Sequence, residues 1–397
     1  MAVVRIFLLV AAVVGVFVRP VRPVRLPNWA VPVAAAVMLL LIGAMTADAA
    51  LDAVRPLLAP LAFLLLAVPL AVMLDRLGFF AALAALVDTG PNPRLGLWVL
   101  AAAVTTFLNL DASVVLLTPL YIQIARQYGF NQTMLAVQPA LLACLASSAL
   151  PISNLTNLIA ADTYGLGVAD FVVRLGPASL VAVAVGWVVY RRADTTATVA
   201  HDQVRDPIDP RALRLGTPIV IFVVLGFTVG DLVDIPAWAV AGVADIVLLA
   251  LTRTVRVRDI PYGAAALALS LGIVATAASP HLGLGALFSG SGTLDQLRVA
   301  AVAALGANTI NNLPALLISL PEVNAHSATL WPLLFGVNFG PVLVLHGSLA
   351  GLLWRDTAAR LGVEVTPWQY TRLGLRIGLP ALLAGLAVVI ATGTFIG

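Results

Sequence analysis

Long apolar runs alternate along this chain with short polar or arginine-bearing breaks, and the length of each run predicts what it can do. A helix needs about twenty apolar residues to cross the hydrocarbon core of a membrane. Runs of roughly that order fall at about 4–18, 28–46, 56–74 and 168–190, and again at about 216–232, 236–252, 260–278 and 371–394. Residues 77–88 and 281–292 are too short to cross and read as inserts, the first of them in plane. Four other stretches are apolar with a polar centre. "FLNLDAS" interrupts residues 94–126, and "ANTINNLP" interrupts 296–321. These two read as re-entrant hairpins. "LPISNLTNLIAADT" interrupts 134–162, and "VNFGPVLVLHGSLAG" interrupts 329–354. These two read as broken helices. The expected fold is an all-α polytopic membrane protein with two repeats, residues 1–190 and 216–397, joined by a polar linker at 191–215. Each repeat has about five spans, one re-entrant hairpin and one broken helix.

Composition fixes the class and charge fixes the orientation. Of 397 residues, 61% are hydrophobic and 10% charged, and the mean hydropathy is +1.03, which leaves no room for a large soluble domain. All 22 basic residues are arginine, a composition that suggests a GC-rich bacterial genome and hence a multi-pass protein of the bacterial inner membrane. Tracing the runs puts 18 of the 22 arginines in or beside cytoplasmic segments, among them Arg19, Arg22 and Arg25. Arg5, Arg55, Arg174 and Arg298 fall elsewhere. The first repeat then begins outside and the second inside, so the two are inverted. The ungapped match of "SNLTNLIAADT" (153–163) with "GSLAGLLWRDT" (347–357) agrees with a repeat. The net charge of +3 and pI near 9.4 are assigned to this topology rather than to nucleic acid. The lone Cys144 excludes an intrachain disulfide, and the four scattered histidines make no metal-ligand spacing, so no cofactor is expected.

An unpaired backbone group in hydrocarbon costs several kcal/mol, so non-helical backbone at membrane depth must be buried or line a cavity. Paired interruptions in inverted repeats are the sequence mark of a transporter site near mid-membrane. The candidate substrate-binding residues are Asn109, Ser113, Ser153, Asn154, Thr156, Asn157, Asn308, Asn311, Asn312, Gly347 and Ser348, with Asn338 among the polar residues of the fourth interruption. Amides and hydroxyls suit a polar uncharged ligand or a small cation, though any single one of them can equally be glue between helices. Asp111 is the sharpest residue, since a carboxylate at that depth costs about 2.5–3.5 kcal/mol on insertion scales. It reads either as a proton or cation carrier or as a carboxylate neutralised by a nearby arginine. His346 either titrates near neutrality as a second coupling group or is a hydrogen-bonded histidine. Asp245 reads as structural first. "FSGSG" (288–292) beside His281 reads as a loop rather than a serine nucleophile, so no enzyme is expected.

"TTFLNLDASVVLLTPL", "ALPISNLTNLIAADTYGLG", "NTINNLPALL" and "GVNFGPVLVLHGSLAGLLW" together resemble the arsenical pump membrane proteins of the ArsB type, within the ion transporter superfamily. The resemblance implies efflux of arsenite or antimonite in exchange for protons, an elevator-like architecture, and an optional cytosolic arsenite-stimulated ATPase as partner. Carried over by position, the hairpin tips are Asn109–Asp111 and Asn308–Pro314, and the broken segments are Ser153–Asn157 and Asn338–Ser348. The chain departs from the family pattern at Val344-Leu345-His346, where the family reads Thr-Pro-Ile. Trivalent arsenic in neutral water is mostly a neutral trihydroxide, which an amide- and hydroxyl-lined pocket can hold without thiols. The alternative is a sodium- or proton-coupled symporter for a dicarboxylate or inorganic anion. Because Asn154, Thr156 and Asn157 face Ser348, Ala350 and Gly351 in the second repeat, the first repeat is expected to supply most hydrogen bonds to the ligand.

Overall fold

The computed structural model describes residues 1–17, 27–88, 92–194, 210–253 and 256–395. Arg19, Arg22, Arg25 and linker residues 195–209 lie outside the described residues. Every regular element among the described residues is helical. The first half contains α1 (Ala2–Phe17), α2 (Ala30–Leu41), α3 (Ala47–Arg76), α4 (Phe79–Asp88), α5 (Pro93–Phe107), α6 (Leu110–Tyr128), α7 (Gln132–Leu145), α8 (Leu155–Tyr164), α9 (Val168–Arg174) and α10 (Gly176–Ala193). The second contains α11 (Pro210–Val229), α12 (Ala237–Thr252), α13 (Tyr262–Ala278), α14 (Gly285–Phe288), α15 (Thr293–Ile310), α16 (Asn312–Ser319), α17 (Leu330–Phe339), α18 (Leu349–Arg360), α19 (Pro367–Leu373) and α20 (Leu379–Phe395).

Among the described residues, four helical stretches are long and apolar enough to cross a membrane: Ala47–Arg76, Pro210–Val229, Tyr262–His281 and Pro367–Gly393. The bent pair α9 and α10 makes a fifth when taken as one span. Six more apolar helices, including α5, α7 and α17, are shorter than a full crossing. The brevity of α7 and α17 follows from the polar breaks that end them, at 146–154 and 343–348.

Three elements differ from the sequence expectation. The third run begins not near residue 56 but at Ala47, so that α3 takes in most of the stretch "TADAALDAVR". Thr46 caps it, accepting a hydrogen bond from the Ala49 N–H at 3.2 Å, and Asp48 sits at the positive end of the helix dipole. The run at 168–190 is not straight. It bends by 48° at Leu175, where Pro177 lacks an N–H and its ring excludes the carbonyl four residues earlier. The last run begins at Pro367 rather than near 371, and passes through a widened π turn at Gly374–Gly378. That turn lies against the second broken helix, because a Cβ at Gly374 would come within 2.4 Å of the Val342 carbonyl oxygen.

Two anchorages position the site. In the first hairpin, the Tyr121 hydroxyl donates to the Leu97 carbonyl and ties α6 to α5. Trp98 then packs on Tyr190 of α10 at 5.2 Å between ring centres, and Arg94 pairs with Asp194 at 3.4 Å. In the second hairpin the contact is backbone against backbone. A Cβ at Gly336 would lie 2.3 Å from the Ala300 oxygen, and one at Gly340 would lie 2.7 Å from the Ala304 Cα. Glycines four residues apart, one on α17 and one just past its end, therefore let α15 approach closely, as small residues do between membrane helices. Gly336→Val is expected to force α15 and α17 apart and to destabilise the fold by about 1–3 kcal/mol or more. A lowered melting temperature of the detergent-purified variant checks this.

Candidate functional site

Each of the four interruptions ends in a side-chain cap that starts a new helix. Asn109 Oδ1 accepts from the Asp111 N–H (2.8 Å) at the start of α6, and Asn154 Oδ1 accepts from the Thr156 N–H (3.2 Å) at the start of α8. Asn311 Oδ1 accepts from the Leu313 N–H (3.3 Å) at the start of α16, and Ser348 Oγ accepts from the Gly351 N–H (3.2 Å) at the start of α18. Short polar side chains do this well because they replace a backbone acceptor that the break has removed. First-turn residues of all four helices line one narrow cleft. Leu110 and Asp111, Leu155 and Thr156, Asn312 to Pro314, and Leu349 meet there, with Leu64 of α3 and Leu267 and Leu271 of α13 as apolar walls. Each helix N-terminus carries the equivalent of roughly +0.5 charge.

Among the described residues, Asp111 is the only acidic one lining the cleft, and no basic one lines it. Its Oδ1 is buried without a hydrogen-bond partner, and none of the ion pairs among the described residues involves it. Asn109 Nδ2 and Asn308 Oδ1 are likewise buried and unpartnered.

The other candidates divide into cleft and support. Asp111, Asn154, Thr156, Asn311 and Asn312 line the cleft. Asn154, Thr156 and Asn157 also meet Asn338 of α17. Asn338 Oδ1 accepts from Thr156 Oγ1 (2.6 Å) and Asn154 Nδ2 (3.1 Å), while Asn338 Nδ2 donates to Asn157 Oδ1 (2.5 Å). The Asn157 amide further donates to the Ser147 and Leu150 carbonyls at 3.0 and 3.1 Å. The three residues expected to supply most ligand bonds thus spend them chiefly on joining α8 to α17. Ser153 Oγ donates to the Thr106 carbonyl (2.6 Å), and Ser113 Oγ accepts from Thr105 Oγ1 (2.8 Å) within the first hairpin. Asn308 Nδ2 donates to the Ala304 and Gly340 carbonyls, both at 2.8 Å.

The second hairpin tip is tied to the second break. Asn311 has φ +79°, a strained backbone for a residue with a side chain, costing about 1–3 kcal/mol. Its Nδ2 donates to the His346 carbonyl (3.2 Å), and the next N–H, of Asn312, donates to the Gly347 carbonyl (2.9 Å). A Cβ at Gly347 would lie 2.8 Å from Pro341 Cα, so glycine is needed for this fit. The His346 side chain is exposed and does not line the cleft. "FSGSG" is a turn whose Gly292 N–H donates to Asp295 at 3.1 Å ahead of α15, and His281 Nε2 lies 2.8 Å from Arg5.

Residues 7–340 match the family described as citrate transporter, CitMHS. The chain belongs to the CitMHS family. It is 28% identical to an arsenical pump membrane protein of Yersinia enterocolitica, over 81% of this chain and 83% of that protein. A protein of the same description from Escherichia coli is 27% identical with the same coverage. The fold resembles the crystal structure of the Alcanivorax borkumensis YdaH transporter, at a TM-score of 0.55 and 15% identity, covering 100% of this chain and 98% of that one. This CitMHS chain is a membrane transporter and not an enzyme.

The support role of Asn338 was hidden in the sequence, where it was one polar residue among many. Asn338→Leu keeps the size but leaves two buried donors and one acceptor without it, at about 1–3 kcal/mol for each group left unpaired. A melting temperature well below that of Ser113→Ala, which removes a single hydroxyl contact, is the expected outcome.

Proposed function

We propose that this CitMHS chain exports arsenite or antimonite, taken up as the neutral trihydroxide, in exchange for protons carried by Asp111. The observation that carries this reading is the cleft itself: one unpartnered buried carboxylate, amides and hydroxyls, four capped helix N-termini and, among the described residues, no cationic side chain. Ligand hydroxyls donate to Asp111, while ligand oxygens face the N-terminal ends of α6, α8, α16 and α18. A proton on Asp111 removes its charge and one acceptor site. Proton and ligand therefore compete for one carboxylate, which is the requirement for exchange. The names of the arsenical pump relatives support the substrate.

Two inverted repeats, 1–190 and 216–397, joined by a cytoplasmic linker at 191–215, belong to the same proposal. The order of elements supports it, since a hairpin capped by asparagine and then a helix broken at a capped turn occur once in each half. An elevator-like movement of the hairpins and broken helices against the other helices, in the bacterial inner membrane, would give alternating access. A cytosolic arsenite-stimulated ATPase is an accessory partner in this reading.

Asp111→Asn should abolish pH-driven arsenite accumulation in everted vesicles while leaving thermal stability unchanged or raised, because it removes a buried uncompensated carboxylate. In the unaltered protein, arsenite binding should weaken as pH falls, and the variant should lose that dependence. Unchanged accumulation by the variant would refute the assignment. The second reading, proton- or sodium-coupled carboxylate transport, is favoured by the four helix N-termini, together equivalent to about +2 charges. Electrogenic citrate or succinate uptake into proteoliposomes, with no arsenite transport, would select it.

A further inference from the structure

A second, wider space adjoins the cleft. It is an open cavity of about 480 Å³ between the middle of α3, the end of α11, the start of α12, and the first break with α8. Two helices wall both spaces. On α3, Leu64 lines the cleft while its neighbour Phe63 lines the cavity. Along α8, Leu155 lines the cleft, and Leu158, Asp162 and Gly165 line the cavity. Positions 155, 158, 162 and 165 share one helix face, so that face runs from one space into the other. Because α3 and α8 pack against each other, the side chains of Leu64, Leu155 and Leu158 stand between the two spaces.

The helices also fix the side on which the cavity opens. Arg211 and Arg214 lie in the first turns of α11, and Arg253 directly follows α12. The cavity is lined by the opposite ends of those helices, at Gly226 and Phe227 of α11 and at Ala237 and Trp238 of α12. Basic residues gather on the cytoplasmic side, so the mouth faces away from the cytoplasm. Phe63 and Phe227 meet edge-on at 5.3 Å between ring centres and firm the inner wall. Among the described residues lining the cavity, Asp162 is the single charged one. It is exposed, and none of the ion pairs among the described residues involves it.

A mouth away from the cytoplasm, a carboxylate without a counter-charge, and two walls shared with the cleft together make a route. We propose that this cavity is the external port of the cleft, closed from it here by Leu64, Leu155 and Leu158, and that Asp162 filters by charge what passes. The proposal rests on the reading of the cleft as the transport site. A neutral hydroxide meets no electrostatic barrier at Asp162, whereas an oxyanion such as phosphate is repelled from the mouth. In a water-filled mouth one unit charge changes the local concentration of a monovalent ion by about fivefold at contact distance. Selection against anions thus begins before the cleft is reached, and Asp111 continues it inside.

The test is the rate at which membrane-impermeant methanethiosulfonates, one cationic and one anionic, label single cysteines in the full chain. The native Cys144 is 2% exposed and gives the unlabelled baseline. Ala237→Cys, at the mouth, should react in right-side-out vesicles and not in everted ones. After correction for each reagent's rate with a free thiol, the cationic one should be favoured about fivefold, and Asp162→Asn should abolish that preference. Leu313→Cys, in the cleft, should react slowly from outside, and Leu158→Ala should speed it at least about threefold by thinning the barrier; Leu110→Cys is the second cleft reporter if Leu313→Cys does not fold. Labelling of Ala237→Cys from the everted side, no labelling from either side, or a preference that survives Asp162→Asn would overturn the port. An unchanged cleft rate in Leu158→Ala would overturn its connection to the cleft. No arsenite or proton gradient is needed, so the expected labelling in a protein that fails to move arsenite would refute the substrate and keep the port.

Discussion

A helix cannot end inside a membrane unless something other than water receives its free N–H groups. That constraint governs this transporter. Asn109, Asn154, Asn311 and Ser348 each supply one acceptor oxygen at the start of a helix, and the cleft exists because these four starts face one another. Remove the caps and the breaks become unpaired backbone in an apolar surrounding. Keep them, and the same breaks become four positive dipole ends around a single carboxylate. Stability and chemistry rest here on the same hydrogen bonds.

The polar atoms in the breaks do unequal work. Asn338 draws Asn154, Thr156 and Asn157 into a buried network across the two halves, so most of their donors hold helices rather than ligand. Asp111 Oδ1, Asn109 Nδ2 and Asn308 Oδ1 remain as buried groups with unused bonding capacity. A network that is fully satisfied gives rigidity, whereas isolated unsatisfied atoms gain most from a ligand that completes them. The second hairpin is further stiffened by close glycine contacts between α15 and α17.

Much of this was legible in the sequence, and the reasons differ by residue. Asn109, Asn154 and Asn311 announce themselves because polar residues in apolar runs have few permitted roles. Thr46 does the same job at α3, but its polar surroundings hide the helix start. Pro177 sits two residues after the bend it causes, inside a run whose hydropathy hides it. The role of Asn338 could not be read, because its partners lie more than 180 residues away along the chain. The apolar walls from α3 and α13 look like any other lipid-facing leucines until the helices are folded together. His346 carried a promising side chain, yet it is the carbonyl of that residue that reaches the second hairpin tip.

The bond from the Asn312 N–H to the Gly347 carbonyl has a consequence for how this protein can be studied and how it can vary. It joins a hairpin tip to a broken helix through main-chain atoms alone, in the way two strands of a sheet are joined. Alanine scanning will pass over it, since no side-chain truncation deletes a backbone donor or acceptor. Only a change that removes the amide proton itself, such as proline or an ester linkage at position 312, can unfasten it. The latch beneath Asn312 therefore holds independently of what that side chain does in the cleft.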